Sequence, residues 1–102
     1  MPSFMVKKRF FEQYQSGKKN VELRSVRPQW KNSKIGNEAV LLCGRNILRK
    51  RITRIHRGSL ARILKDVDYK RAFPEAKIIF EAVFETRKIY PQEEEFMAFE
   101  LV

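Results

Sequence analysis

The chain has 102 residues, 43% of them hydrophobic, and carries 22 Lys and Arg against 12 Asp and Glu for a formal net charge of +10. That length suits one domain, residues 1–102, and excludes two independent catalytic domains, while eight Phe, three Tyr and one Trp supply a core that a disordered chain lacks. Apolar runs such as Ala39-Val40-Leu41-Leu42-Cys43 fall far short of the ~20 residues of a membrane span, and Met1 to Val6 is too short for a secretory h-region, so a soluble, cytoplasmic protein with no membrane partner is expected.

From Val6 to Gln15 the apolar residues Val6, Phe10, Phe11 and Tyr14 recur at helical spacing, and Gly17 stands where a helix C-terminus needs a left-handed residue. A first helix ending near Ser16 is predicted. Lys19 to Arg24 alternates, with Val21 and Leu23 on one face and Asn20, Glu22 and Arg24 on the other, as in a strand with a polar face. Ser25 to Asn37 contains Pro28, Asn32, Gly36 and Asn37 without periodicity and reads as a loop anchored by Trp30. Glu38 to Cys43 is a compact apolar run suited to a strand inside a sheet or barrel. Arg45 to Arg57 mixes Ile47, Leu48, Ile52 and Ile55 with basic side chains, and its parity slips once between Ile52 and Ile55, which predicts a twisted or bulged strand with an exposed basic face.

Ser59 is placed to cap a helix carrying Leu60, Ile63, Leu64 and Val67, and a second helical stretch follows Pro74, from Glu75 to about Lys88. After Tyr90-Pro91 and the acidic turn Glu93-Glu94-Glu95, the residues Phe96, Ala98, Phe99 and Leu101 form a closing strand. The order is that of an α+β domain closing into a small barrel.

Charge is divided along this order. Residues 1–57 hold 15 Lys and Arg against Glu12, Glu22 and Glu38, whereas residues 58–102 hold seven basic and nine acidic side chains. The positive field therefore originates in the first half, and it favours a polyanionic partner, nucleic acid before a membrane surface. A single cysteine, Cys43, and a single histidine, His56, cannot assemble a Cys/His metal site, so neither a metal nor another cofactor is expected. Cys43 reads as a core thiol, and His56, among arginines, as a surface or barrel-rim side chain.

The most informative stretch is Gly17-Lys18-Lys19-Asn20-Val21-Glu22-Leu23-Arg24, where a turn glycine delivers a lysine into a strand bearing a carboxylate and a guanidinium. Glu22 and Arg24 share a strand face, about 7 Å apart along the chain. Together the three can orient a planar polar group: Arg24 donates a rigid fork, Glu22 accepts hydrogen bonds or a proton, and Lys19 supplies mobile positive charge. The competing reading is an ordinary Glu-Arg ion pair on a solvated strand.

These residues fill the pattern Gly-x-Lys-x-x-Glu-x-Arg, and the chain resembles the ASCH domains of the PUA-like superfamily. A preceding helix, a Trp-containing loop, the turn Ile35-Gly36-Asn37-Glu38 and the segment Ile89-Tyr90-Pro91 before the last strand extend the resemblance over essentially the whole chain. It implies a small β-barrel with helices over its openings, a cleft lined by Lys19, Glu22 and Arg24, and RNA or a modified nucleoside as partner. One similar branch comprises small amidohydrolases that deacetylate N4-acetylcytidine with a lysine, a threonine and a later glutamate. Lys19 matches the lysine, an ungapped count places the acid at Glu75 (a gap would move it to Glu81), and Glu22 stands where the threonine would be. An enzyme of this kind would activate water through Glu22 or Glu75, with Lys19 or Arg24 stabilising the oxyanion.

The binding alternative needs fewer parts. Arg45, Arg49, Lys50, Arg51, Arg54 and Arg57, joined by Lys7, Lys8 and Arg9, are expected to track phosphates beside the cleft, with Trp30 and Tyr90 stacking an unpaired base. Core packing of both rings, and an edge strand kept soluble by its charges, are the readings they compete with. A ribonuclease, or an interaction module whose basic face meets an acidic protein, uses the same residues. Phe80, Phe84, Phe96 and Phe99 fill the core or line a homodimer interface.

Overall fold

A computed structural model describes residues 2–102. The elements follow in the order β1 (Ser3–Met5), α1 (Lys8–Ser16), β2 (Val21–Ser25), β3 (Glu38–Cys43), β4 (Asn46–Gly58), α2 (Leu60–Asp66), α3 (Tyr69–Ala72), α4 (Ile79–Ile89) and β5 (Phe96–Leu101). The five strands form one curled sheet, a half-barrel in the order β1-β3-β4-β5-β2. β1 runs parallel to β3 and every other pair is antiparallel. The expected α+β barrel-like fold with helices against it is what the chain adopts.

Strand alternation divides the interior into two cores. Phe96 and Ala98 of β5 join Val21, Leu60, Ile63, Leu64, Val67, Ala72 and Ala82 under α2, α3 and α4. Met97, Phe99 and Leu101 turn the other way, to Phe4, Tyr14, Ala39, Leu41 and Ile52. Because β2 follows the same alternation, Val21 lies in the first core while Glu22 lies on the side of Tyr14, where a carboxylate must find polar partners.

Several boundaries differ from the sequence-based expectation, each for a local reason. The first helix begins at Lys8 because residues 3–5 form the short parallel strand β1. The middle helical stretch is followed by a separate turn, α3, whose Asp68 side chain accepts a hydrogen bond from the Lys70 backbone N–H at 3.0 Å. Pro74-Glu75-Ala76 lies in a turn, and α4 starts only at Ile79, after Glu81 accepts from the Lys77 backbone N–H at 2.8 Å. The parity slip in the basic strand is a β-bulge: Ile52 pairs with Leu101 and Arg54 with Glu100, leaving Thr53 as the extra residue. Ser59 caps α2, accepting from the Arg62 N–H at 3.3 Å. The acidic turn answers the basic half through Arg27–Glu93 and Arg57–Glu95 ion pairs, each at 3.0 Å.

β1 and β2 are the two edges of the sheet, and α1 connects them directly. The curl brings these edges toward one another, so the barrel has a seam, with α1 lying across it. Among the described residues no helix is long and apolar enough to cross a membrane.

Candidate functional site

The motif is built around that seam. Gly17 ends α1 with φ 81°, in the left-handed region that glycine occupies without a Cβ penalty, and its N–H bonds the Tyr14 carbonyl at 3.3 Å. The reversal returns the chain beneath α1, where the Lys19 N–H bonds the Gln13 carbonyl at 3.1 Å. Lys19 is thereby drawn inside, with 5% of its surface exposed. Its Nζ donates to the carbonyls of Val21 at 2.8 Å and Ala72 at 2.5 Å, and lies within 5.0–5.5 Å of the ring centres of Phe10, Tyr14 and Phe73.

Glu22 is equally buried, with 4% exposure, and each of its oxygens is engaged. Tyr14 donates its hydroxyl to Oε1 at 2.5 Å, and Arg24 donates Nε–H to Oε2 at 2.6 Å. Arg24 reaches further: its Nη2 donates to the Met5 carbonyl at 2.7 Å, and its guanidinium packs over Phe4 and Trp30 at 5.3 and 5.7 Å. One side chain from edge strand β2 thus hydrogen-bonds the last residue of edge strand β1 and stitches the seam. This is no solvated surface ion pair.

Burial sets the electrostatics. Desolvation pulls Lys19 from its ordinary 10.5 to about 8; Glu22 pushes the other way and Arg24 adds to the fall. Tyr14 is driven well above its ordinary range by burial and by the Glu22 carboxylate beside it. For Arg24, burial acts downward but the Coulombic attraction and hydrogen bond of Glu22 outweigh it, and the net movement is upward.

A cleft of about 240 Å³ opens onto this cluster, lined by Lys19, Glu22 and Arg24 at its polar end and by Phe10, Phe73, Ile89 and Tyr90 among its apolar walls. Lys19 and Glu22 make no ion pair with each other, so they stand as separate charged partners for a ligand. A protonated Lys19 has three N–H donors and spends two on carbonyls; Glu22 has about four acceptor positions and spends two. Donor and acceptor capacity therefore remains side by side in a largely apolar enclosure. Among the described residues, no three His, Cys, Asp or Glu side chains gather in a metal-holding group.

Of the residues singled out from sequence, the structure brings Lys7, Lys19, Glu22, Arg24 and Tyr90 to this cleft and places the others elsewhere. Trp30 is not part of its lining: the indole N–H donates to the Ser25 carbonyl at 2.8 Å and the ring packs on Phe4 at 5.3 Å, anchoring the loop behind Arg24. Glu75 lines a separate depression of about 160 Å³ with Arg9, Gln13, Glu81 and Glu85, and accepts from the Gln13 amide at 3.1 Å. The Phe10–Phe73 pair, in edge-to-face contact at 6.3 Å, lines both and partitions them. The basic strand does not run beside the cleft either, because β4 is the middle strand of the sheet and the cleft lies between the edges. Arg49 and Arg57 are paired with Glu38 and Glu95, whereas Arg45, Lys50, Arg51 and Arg54 have no carboxylate partner among the described residues. His56 bonds Glu100 at 2.6 Å, and Glu100 also holds Arg71 at 2.8 Å.

Tyr14, Phe10 and Phe73 are site residues that the sequence reading did not single out. Tyr14 fits the apolar periodicity of its helix, and the sign of another role, a phenol that must find a partner once buried, emerges only when Glu22 is placed opposite it.

No family profile matches the sequence, and no curated protein does. Solved structures do. The hypothetical protein PH0355 superposes with a TM-score of 0.82 at 21% identity, over 99% of this chain and 97% of that one. The ASCH protein of Zymomonas mobilis superposes with a TM-score of 0.74 at 18% identity, over 98% of this chain and 65% of that one. The chain has the ASCH fold. PF0455 from Pyrococcus furiosus shares it, with a TM-score of 0.74 at 22% identity, over 98% of this chain and 94% of that one. This chain thus spans nearly all of two ASCH-fold neighbours but just under two thirds of the Zymomonas mobilis protein, and the likeness is one of fold.

Proposed function

We propose that the chain is a member of the ASCH family that binds RNA or a nucleoside, taking one base into the cleft between β1 and β2 and acting in RNA metabolism. The observation that carries this reading is the burial of Lys19 and Glu22 beside a half-buried Arg24 in an aromatic-walled cleft. Keeping two charged side chains out of water is costly, and such clusters in clefts mark sites that do work. A base fits the chemistry: its polar edge alternates donors and acceptors that Lys19, Arg24 and Glu22 match, and its faces suit Phe10, Phe73 and Tyr90. The exposed cations Lys7, Lys8 and Arg9, at the start of α1, supply phosphate contacts nearest the cleft mouth. Arg45, Lys50, Arg51 and Arg54 of the basic stretch offer a second surface for a longer strand on the far side of the sheet.

A second reading is favoured by the placement in one cleft of Glu22, with acceptor positions to spare, and Lys19, with an N–H donor to spare. In that reading the cleft hydrolyses a nucleoside amide or RNA, Glu22 activating water and Lys19 stabilising the oxyanion. Titration of the wild type and Glu22→Gln with single-stranded RNA, cytidine and N4-acetylcytidine, across salt and with product analysis, separates the two. Binding weakened by Glu22→Gln without product supports recognition; product from the wild type alone supports hydrolysis. Affinity for every ligand that is indifferent to Glu22→Gln, with no product, sinks the cleft as the functional site.

A further inference from the structure

α4 is apolar on two faces. Its inner face places Ala82 in the first core and packs Ile79 and Val83 against it, as expected of a surface helix. Its outer face, which should be polar, carries Phe80 at 74% exposure and Phe84 at 63%, one turn apart. The other helices do not share this fault. α1 turns Lys8, Arg9, Glu12, Gln15 and Ser16 outward, and α2 turns Ala61, Arg62, Lys65 and Asp66 outward.

We infer that this stripe is the interface with a second copy of the chain, the two α4 helices packing antiparallel across a twofold axis near Phe84. Charge along the helix selects that partner. Glu81 stands in the first turn of α4, and Arg87 and Lys88 stand in the last. Two antiparallel copies set Phe84 against Phe84 and bring Glu81 of each to Lys88 of the other, with the helix dipoles opposed. The region is also the half of the chain that lacks a basic excess, residues 58–102 holding seven basic and nine acidic side chains, which makes it the poorer surface for a polyanion. With about 200 Å² for an aromatic side chain, the two rings leave on the order of 250 Å² in water per copy, and roughly 500 Å² in two. The stems of Lys77 and Lys88, on the same side of α4, add to this, and a buried area below the ~1,000 Å² of a stable interface fits a weak monomer–dimer equilibrium.

Sedimentation equilibrium of the full chain from micromolar to millimolar concentration tests the inference. The expected result is a monomer–dimer equilibrium that tightens with added salt, because two copies of net charge +10 repel and salt screens them, the reverse of RNA binding. Phe84→Glu should raise the dissociation constant more than about tenfold, with an unchanged melting temperature at concentrations where both proteins are monomeric, since the side chain is exposed in the single chain. Glu81→Lys and Lys88→Glu should each weaken self-association, while an equimolar mixture of the two forms a heterodimer, an outcome that a folding defect cannot produce. A wild type that stays monomeric at millimolar concentration, a Phe84→Glu chain that dimerises as the wild type does, or a stripe covered only when RNA is added would overturn the pairing.

Discussion

Replacing Lys19 with Met tests whether the cleft is a desolvated site. Burial holds the ammonium near pKa about 8 against an ordinary 10.5, so between those values the unfolded chain keeps a proton that the folded chain has released. The folded value is the lower one, and stability therefore rises as pH climbs through this window and is penalised below it. At about 1.4 kcal/mol per pH unit, the rise amounts to about 3 kcal/mol. Met has a similar apolar stem and no charge, so its protein lacks the rise. Near neutrality the substitution cuts both ways: it removes the buried charge but strands the Val21 and Ala72 carbonyls, at about 1–3 kcal/mol each. The decisive quantity is therefore the pH dependence of the difference, measured by urea denaturation of both proteins from about pH 6 to 11. The wild type should gain about 3 kcal/mol on Lys19→Met between pH 7 and 10.5, with no gain below pH 7. A difference independent of pH would refute the reasoning, because it would mean that the ammonium is hydrated and that the cleft does not exclude water.

Other expectations follow from the same geometry. Arg24→Ala leaves Glu22 buried with Tyr14 alone and unties β1 from β2, so it should cost about 3–5 kcal/mol and lower Tm by more than about 12 °C; adding Glu22→Gln should restore part of the loss, and a cost below about 1 kcal/mol would mean a solvated pair. Glu75→Gln should change ligand affinity at the motif cleft by less than about twofold, as expected for an exposed side chain in a separate depression, and a tenfold loss in the binding titration would join the two into one site. Ser59→Ala should destabilise the fold by about 1 kcal/mol in thermal melts through loss of the α2 cap, with no effect on ligand affinity.

Much of this fold was legible because its signals are local. Gly17, Ser59, the uninterrupted Glu38–Cys43 run and the parity slip after Ile52 each report a backbone requirement over a few residues. β1 was not legible, because three residues show no period and its reason for being extended is the distant pairing of Phe4 with Leu41. α3 is a single turn, too short for a hydrophobic face. At the site, the Gly-Lys-Glu-Arg spacing shows Glu22 and Arg24 on one strand face, whereas Lys19 has the opposite parity and joins them through the reversal at Gly17. What it could not show is who meets them across the seam: Tyr14 from α1, the Met5 carbonyl from β1 and the Ala72 carbonyl from α3 arrive through tertiary closure. For the same reason the basic stretch looked adjacent to the motif in sequence logic, and only the strand order places it in the middle of the sheet.

The strand that carries Glu22 and Arg24 has a single neighbour in the sheet, β5, and their register joins Val21 to Glu100 and Ser25 to Phe96. That contact closes a loop of more than seventy residues, among the most expensive in the fold to form by chance. During synthesis the motif is made early but has nothing to pair with until Phe96–Leu101 has emerged, and Ala72, whose carbonyl holds Lys19, is made only part-way through. A nascent or truncated chain ending before Phe96 therefore displays these charges on a loose segment, with no cleft. Formation of β5 is the event that gathers these side chains into one cleft, so the cleft and the closed sheet arrive together.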